Sequence, residues 1–249
     1  MPTLTPIGRF FIAIALAVWG IQQIIYARFV TRLLPQLPGW IPGQPMLAQA
    51  TGLLLIVACI AILMKRNARL IALFIGTVAL MLDLLLKFPP LVANLHNGAA
   101  WGAAGKPLAL AGALFILAGT YAGKKQLLDK LIPLGPYLFA SFLILSGIQH
   151  FLFIQFVTTF VPAWIPGRLF WAYFAGVALI AGGIGVLVPK TARLAALLCG
   201  IMIFSWVPLV HIPRALKDVH DANETTAVFE ALALSGAAFL MATRGRRTG

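Results

Sequence analysis

The chain has 249 residues, of which 61% are hydrophobic and only 10% are charged, and its mean hydropathy is +0.96. A soluble domain carries about 25% charged residues, and a water-soluble globule of this size could not remove so much apolar surface from solvent. These values exclude a soluble enzyme, a disordered tail and a secreted disulfide scaffold, and they predict an integral membrane protein.

Membrane-spanning helices account for most of the predicted structure. A helix needs about 20 mostly apolar residues to cross a bilayer. Eight segments meet this requirement, and in chain order they are residues 8–29, 46–64, 68–87, 106–122, 136–157, 169–188, 191–210 and 227–243. None shows the short alternation of apolar and polar residues expected of an outer-membrane strand. The expected fold class is therefore all-α integral membrane.

The net charge of +13 is distributed as in a membrane protein. The basic residues lie at the ends of the apolar runs, so no nucleic-acid partner is expected. Twelve basic residues fall on the side that carries both termini, and seven fall on the other side. The positive-inside rule therefore predicts a multi-pass protein of the cell membrane with both termini in the cytoplasm.

The sequence contains an internal duplication. Between Pro38 and Ala118, 28 of 81 residues are identical to those 124 positions later, and the anchors include the two Trp-Ile-Pro-Gly segments at Trp40 and Trp164. The first span matches the fifth at an offset of 127. We therefore expect two four-helix bundles, residues 8–122 and 136–243, as parallel repeats related by an axis along the membrane normal. The first span has a counterpart in mid-chain, so it is expected to be retained rather than cleaved as a signal peptide.

Familiar catalytic and metal-binding motifs are absent from the sequence. The two cysteines, Cys59 and Cys199, stand alone in apolar runs, which is typical of small buried side chains. No metal site is predicted, and whether the protein is an enzyme stays open.

Polar residues inside the spans are the candidate site, because ionisable groups are costly in a membrane. In the second repeat the candidates share a similar depth, and they are Gln149, His150, His211, Arg214 and Glu230. His211 and Glu230 are the candidate catalytic pair, while Arg214, Gln149 and His150 are candidate ligand-binding residues. The alternative is structural, with an Arg214–Glu230 ion pair and with His211 capping a helix end.

The first repeat carries different polar residues at these positions. The equivalents of His211 and Glu230 are Lys87 and Lys106, Gln22 matches Gln149, and the repeat has an acid of its own, Asp83. Asp83 precedes Lys87 by four residues, so the two side chains also fit a local neutralising pair. This divergence places any chemistry in the second repeat.

The two Trp-Ile-Pro-Gly loops are too rich in proline to be helical. Their tryptophans suit the membrane interface. Trp164 is therefore either an aromatic anchor or part of a lid over a ligand-binding cavity.

The second repeat resembles the DoxX-like membrane family. It has Trp-Ile-Pro-Gly after its first span, Ala-Arg-Leu at the start of its third, His-Ile-Pro-Arg at the end of the third, and Glu-Ala-Leu-Ala-Leu at the start of its fourth. The first repeat retains Trp-Ile-Pro-Gly and Ala-Arg-Leu but has Lys-Phe-Pro-Pro in place of His-Ile-Pro-Arg. Relatives of this type include a subunit of a thiosulfate:quinone oxidoreductase and membrane partners in oxidative-stress complexes.

The resemblance implies a redox-linked membrane subunit that binds a quinone or similar lipid-soluble molecule near the outer leaflet. Its partners would then be the bilayer and a redox protein, soluble or membrane-bound. Two alternatives stay open: a transporter for a small solute or lipid, because parallel repeats are one transporter plan, and a membrane scaffold without chemistry.

Overall fold

The computed structural model describes residues 4–30, 32, 37–123 and 126–243. These residues contain eight helices long and apolar enough to cross a membrane, as expected of a multi-pass membrane protein. In chain order they are α1 (Leu4–Tyr26), α2 (Gln44–Leu63), α3 (Ala68–Ala93), α4 (Gly98–Ala118), α5 (Leu127–Leu152), α6 (Arg168–Leu187), α7 (Ala192–Lys217) and α8 (Ala222–Ala242). The fold class predicted from composition is thus confirmed at the level of eight helical spans.

The fourth and eighth helices are longer than the sequence predicts. They begin at Gly98 and Ala222, whereas the predicted spans begin at residues 106 and 227. The predicted spans begin at Lys106 and after Glu224, because charged residues are costly in lipid. In the structure both of these charges are paired, Lys106 with Glu230 and Glu224 with Arg214, so the two helices extend beyond them.

Helices α3 and α7 each contain one π-helical segment, at Asp83–Lys87 and Val207–His211. The Phe88 amide donates to the Asp83 carbonyl, and the Ile212 amide donates to the Val207 carbonyl, each five residues back. Prolines follow both segments, and proline cannot donate to the preceding turn. The two segments occupy equivalent positions of the internal repeat, and π segments of this kind are frequent at functional sites.

The helices pack as a closed circuit. Each helix packs on its neighbours in the chain, and α8 returns to pack on α1. Helices α4 and α8 also contact each other across the middle of the circuit. They are the most buried of the eight, with 67% and 78% of the residues in an apolar 18-residue stretch buried, against 28–39% for the other six.

The first helix of each repeat packs on the fourth helix of the other. Helix α1 contacts α8 extensively and α4 only slightly, while α5 packs on α4. The expected arrangement as two four-helix bundles stays a prediction, while the contacts between the repeats are extensive. The physical reason lies in glycines, which bring the two backbones together at each of these crossings.

The glycines at the two crossings occupy the same repeat positions. A Cβ on Gly8 would lie 2.6 Å from the carbonyl oxygen of Gly236, and one on Gly112 would lie 2.9 Å from that of Gly135. Gly8 and Gly135 are equivalent in the internal repeat, as are Gly112 and Gly236. The α1–α8 and α5–α4 contacts are therefore built in the same way.

The two ends of the described chain lie together. The Thr5 hydroxyl donates to the Thr243 hydroxyl over 3.2 Å. We call this end of the helix assembly the terminal end. The opposite end, which carries Trp40–Gly43 and Trp164–Gly167, is called the WIPG end. At the terminal end Arg69 binds Asp129 over 2.8 Å, which ties α3 to the start of α5.

Candidate functional site

A cluster of charged side chains lies between the two repeats, toward the WIPG end. Its centre is Glu230, which is 8% exposed. The Glu230 Oε2 atom lies 2.8 Å from Nε of Arg32, and its Oε1 atom lies 3.7 Å from Nζ of Lys106. Lys87 and His211 are close enough for their charges to act on Glu230. We call these five residues the seam cluster.

The two π-helical segments position two members of the seam cluster. Lys87 and His211 are the last residues of these segments, at equivalent places in α3 and α7. The His211 Nδ1 atom is buried and has no hydrogen-bond partner among the described residues. The structure thus brings the candidate pair His211 and Glu230 together, but it surrounds them with cations from the first repeat.

Arg214 binds a different acid. Its guanidinium donates two hydrogen bonds to the Glu224 carboxylate, at 3.0 Å from Nε and 2.6 Å from Nη2. It also lies over the Phe160 ring, 4.4 Å from the ring centre. The sequence alternative of an Arg214–Glu230 ion pair is therefore wrong, because Glu224, nearer the start of α8, binds the guanidinium.

The glutamines predicted as site residues, Gln149 and Gln22, form hydrogen bonds with backbone carbonyls at the first residues of two helices. The Gln149 amide donates to the Gly98 carbonyl over 3.0 Å, and the Gln22 amide donates to the Ala222 carbonyl over 3.1 Å. Gly98 and Ala222 begin α4 and α8, so each glutamine ties the first helix of one repeat to the fourth helix of the other. The hydrogen bond of Gln149 thus places it at the start of α4, whereas the sequence predicts it beside the Glu230 of α8.

The remaining two predicted ligand-binding residues lie outside the seam cluster. His150 is bonded within its own helix, with Nδ1 2.7 Å from the Ser146 carbonyl oxygen. Trp164 is 68% exposed and lines neither of the two cavities described below. The exposure of Trp164 fits an aromatic anchor at the membrane interface.

Asp83 is fully shielded from solvent. Neither of its carboxylate oxygens has a hydrogen-bond partner among the described residues. Its charge interacts with that of Lys87, four residues later. The charge interaction is compatible with the predicted neutralising pair, which stays a prediction.

Two adjoining cavities lie beside α1 and α2 of the first repeat. The first, of about 560 Å³, lies at the WIPG end between α1, α2 and the start of α8, and we call it the vestibule. The second, of about 510 Å³, lies between α1, α2 and α3, and we call it the lateral cavity. Phe29 and Leu37 line both, so the two cavities are neighbours.

The vestibule is the more polar of the two cavities. Its polar lining residues are Gln22, Tyr26, Arg28, Gln44, Asn223 and Thr226.

The lateral cavity is apolar apart from Gln23 and Thr51. The Gln23 side chain is fully buried, and its Oε1 atom accepts a 2.7 Å hydrogen bond from the Thr51 hydroxyl. Its Nε2 group has no partner in the described chain, and neither has the indole N–H of Trp19, one helical turn away. A buried donor without a partner costs about 1–3 kcal/mol. An acceptor on a ligand in this cavity would satisfy the Gln23 donor.

Gln23 is not among the site residues predicted from the sequence. A signal is present, because Gln23 and Thr51 are polar residues in two consecutive apolar spans. Their pairing cannot be read from the sequence, since the rotation of α1 against α2 decides whether the two side chains face each other or the lipid.

Comparison with known proteins matches part of the chain to a family. A family model described as a domain of unknown function, DUF8561, matches residues 139–244. Neither the curated proteins nor the solved structures give a match. The matched segment runs from α5 to just beyond α8, which is nearly the extent of the second predicted repeat.

Proposed function

We propose that this chain is a redox-linked membrane subunit of the DoxX-like type that holds a quinone or a similar lipid-soluble molecule. The observation that supports this most is the lateral cavity, an apolar space of ligand size beside the unpartnered Gln23 amide. Small-molecule sites typically have volumes of about 300–1,000 Å³, mostly apolar walls and a few polar groups that orient the ligand. The lateral cavity has all three properties.

The donor at the cavity fits a quinone head group. A quinone carbonyl accepts hydrogen bonds, and the Gln23 Nε2 group is a buried donor without a partner in the described chain. When bound, a quinone supplies two-electron, two-proton redox chemistry. The chain's own contribution is to orient the head group through Gln23, whose amide is fixed by the Thr51 hydroxyl, and to exclude water with apolar walls.

We assign proton exchange to His211 and Glu230 of the seam cluster. Glu230 lies one helical turn after Thr226, which lines the vestibule. The imidazole of His211 has a buried nitrogen without a hydrogen-bond partner in the described chain, and the charges of His211 and Glu230 act on one another. Histidine is the side chain best suited to exchanging a proton near neutral pH. A redox partner would supply or accept the electrons.

The proposal includes two parallel repeats, residues 8–122 and 136–243, with both termini in the cytoplasm. The glycine contacts and the π segments at equivalent positions support the repeat. The excess of basic residues at the terminal end supports the orientation. The vestibule would then face the outer leaflet.

The test is the quinone content of the purified protein. Full-length protein extracted in mild detergent should carry close to one quinone per chain, measured by chromatography of the organic extract. Gln23→Leu should lower that content at least fivefold. Thr77→Val is the matched control, because the Thr77 hydroxyl bonds to the Leu73 carbonyl of its own helix and Thr77 does not line the lateral cavity. Quinone absent from the wild type, or equal in wild type and Gln23→Leu, contradicts the proposal.

A transporter is the second candidate, and one observation favours it. Irregular spans at corresponding positions of two repeats are typical of transporter binding sites, and α3 and α7 each change from α-helical to π-helical geometry at equivalent residues next to the seam cluster. Proteoliposomes would separate the two functions. Solute uptake that is lost in Glu230→Gln but kept in Gln23→Leu would favour transport over quinone binding.

A further inference from the structure

The two repeats differ in how their second and third helices meet. Helices α6 and α7 approach closely at two glycines, since a Cβ on Gly182 would lie 2.1 Å from Sγ of Cys199 and one on Gly185 would lie 2.7 Å from Cβ of Ala195. The equivalent residues of α2 are alanines, at positions 58 and 61. Helices α2 and α3 contact each other less than α6 and α7 do, and the lateral cavity lies between them. The extra methyl groups on α2 therefore accompany a wider gap.

Three residues of α3 that line the lateral cavity are smaller than their equivalents in α7. These residues are Val78, Ala79 and Leu82. Their equivalents in α7 are the larger Met202, Ile203 and Trp206. Ile203 is 3% exposed, and Met202 and Trp206 pack against the apolar core. At these three positions, toward the WIPG end of the cavity, the second repeat therefore carries the larger side chains, whereas Ile71, Phe74 and Ile75 of α3 have the smaller equivalents Ala195, Leu198 and Cys199.

The outer wall of the lateral cavity faces the bilayer. Its lining includes Leu54, Val57, Phe74 and Val78, and all four are at least 39% exposed on the surface of α2 and α3. Gln23 is on α1, behind these residues, and is fully buried. A molecule that enters between α2 and α3 would therefore meet apolar side chains first and the Gln23 donor last.

We propose that the chain takes up one lipid-soluble molecule sideways from the bilayer through the gap between α2 and α3, and that Ala79 and Leu82, which are smaller than their equivalents Ile203 and Trp206, provide room for it. The occupant has a hydrogen-bond acceptor at its head, which reaches Gln23, and a flexible apolar chain, which lies along α2 and α3. In the second repeat Ile203 and Trp206 occupy the equivalent space. The inference rests on the proposed function only for the identity of the occupant.

The experiment transfers residues of the second repeat into the first. Full-length protein is placed in nanodiscs of palmitoyl-oleoyl phosphatidylcholine that contain decylubiquinone, and bound molecules are counted by native mass spectrometry. The wild type should retain one adduct with the mass of decylubiquinone. Ala79→Ile with Leu82→Trp should reduce that adduct at least tenfold. Trp206→Leu, the reciprocal change in the second repeat, should leave the adduct as in the wild type.

A second variant that places a larger side chain in the lateral cavity (a filling variant, like Ala79→Ile with Leu82→Trp) controls for loss of the adduct through misfolding. Val78→Met introduces the second-repeat residue at a neighbouring lining position and should reduce the adduct about threefold, while the thermal unfolding midpoint should stay close to that of the wild type. Folded filling variants that keep the wild-type adduct overturn the proposal, as does a wild type without any adduct. A single phospholipid adduct that the filling variants lose would support lateral uptake and contradict the quinone as occupant.

Discussion

Lys106 and Glu230 occupy equivalent positions in the internal repeat and form an ion pair with each other, with Lys106 Nζ 3.7 Å from Oε1 of Glu230. Identical charged side chains at this contact between α4 and α8 would repel each other. Divergence of the two repeats to opposite charges removes that repulsion. The arrangement also explains why Glu230 has cations of the first repeat, and not Arg214, as its partners.

Replacing Glu230, the acid of the seam cluster, should lower the stability of the protein strongly. Glu230→Gln leaves Arg32 and Lys106 without their carboxylate, and breaking a buried ion pair costs about 3–5 kcal/mol. We expect a marked fall in the thermal unfolding midpoint in detergent. Glu224→Gln is the control, because its pair with Arg214 is more exposed, with side-chain exposures of 18% and 34% against 10% and 25% for Glu230 and Arg32, so a smaller loss is expected. Equal losses in the two variants would show that the seam cluster is no more important for stability than the Arg214–Glu224 pair.

The glycine contact between α1 and α8 predicts a second loss of stability. In Gly236→Val the new side chain meets the Gly8 carbonyl oxygen, which lies 2.8 Å from the Cβ position. The helices must separate, so unfolding should occur at a clearly lower temperature. Gly102→Ala is the matched control because nothing lies within 4 Å of its Cβ position, and alanine in a helix is favoured over glycine by about 1 kcal/mol. A Gly236→Val protein as stable as the wild type would show that the helices do not cross at these residues.

Cysteine crosslinking tests the closed circuit of helices. Thr5→Cys with Thr243→Cys should form a disulfide on mild oxidation, because the two hydroxyl oxygens are 3.2 Å apart. The background should carry alanine in place of both native cysteines, and the product is read as a mobility shift that a reductant reverses. Thr5→Cys with Gly102→Cys is the negative pair, since these residues lie on different helices at opposite ends of the assembly. Failure of the first pair to crosslink would mean that α1 and α8 do not contact each other at the terminal end.

Accessibility labelling tests the predicted orientation. Gly39→Cys at the WIPG end should react with a membrane-impermeant maleimide on intact cells, because residue 39 is exposed. Lys65→Cys, exposed at the terminal end, should react only after the cells are permeabilised. The reverse pattern would place the terminal end outside and would make the positive-inside prediction wrong.

The candidate site is only partly predictable from the sequence. His211, Glu230, Lys87 and Lys106 stand out because ionisable residues are rare in apolar spans. Their grouping across the two repeats does not follow from the duplication, because the contacts of α8 with α1 and α4 cannot be read from the sequence. The cavity beside Gln23 depends on how closely α2 and α3 approach, which the sequence does not give.

The sequence by itself determined eight apolar helices, because lipid requires every backbone polar group to be bonded within a helix or a closed barrel. It also determined the duplication, since a shared Trp-Ile-Pro-Gly in register does not arise from composition alone. The tertiary structure decided which helices contact one another. Helix α1 packs on α8 and α5 packs on α4 because glycines at those crossings let two backbones approach. The α1–α8 contact accompanies the Arg32–Glu230 pair, and the contact of α4 with α8 brings Lys106 to Glu230.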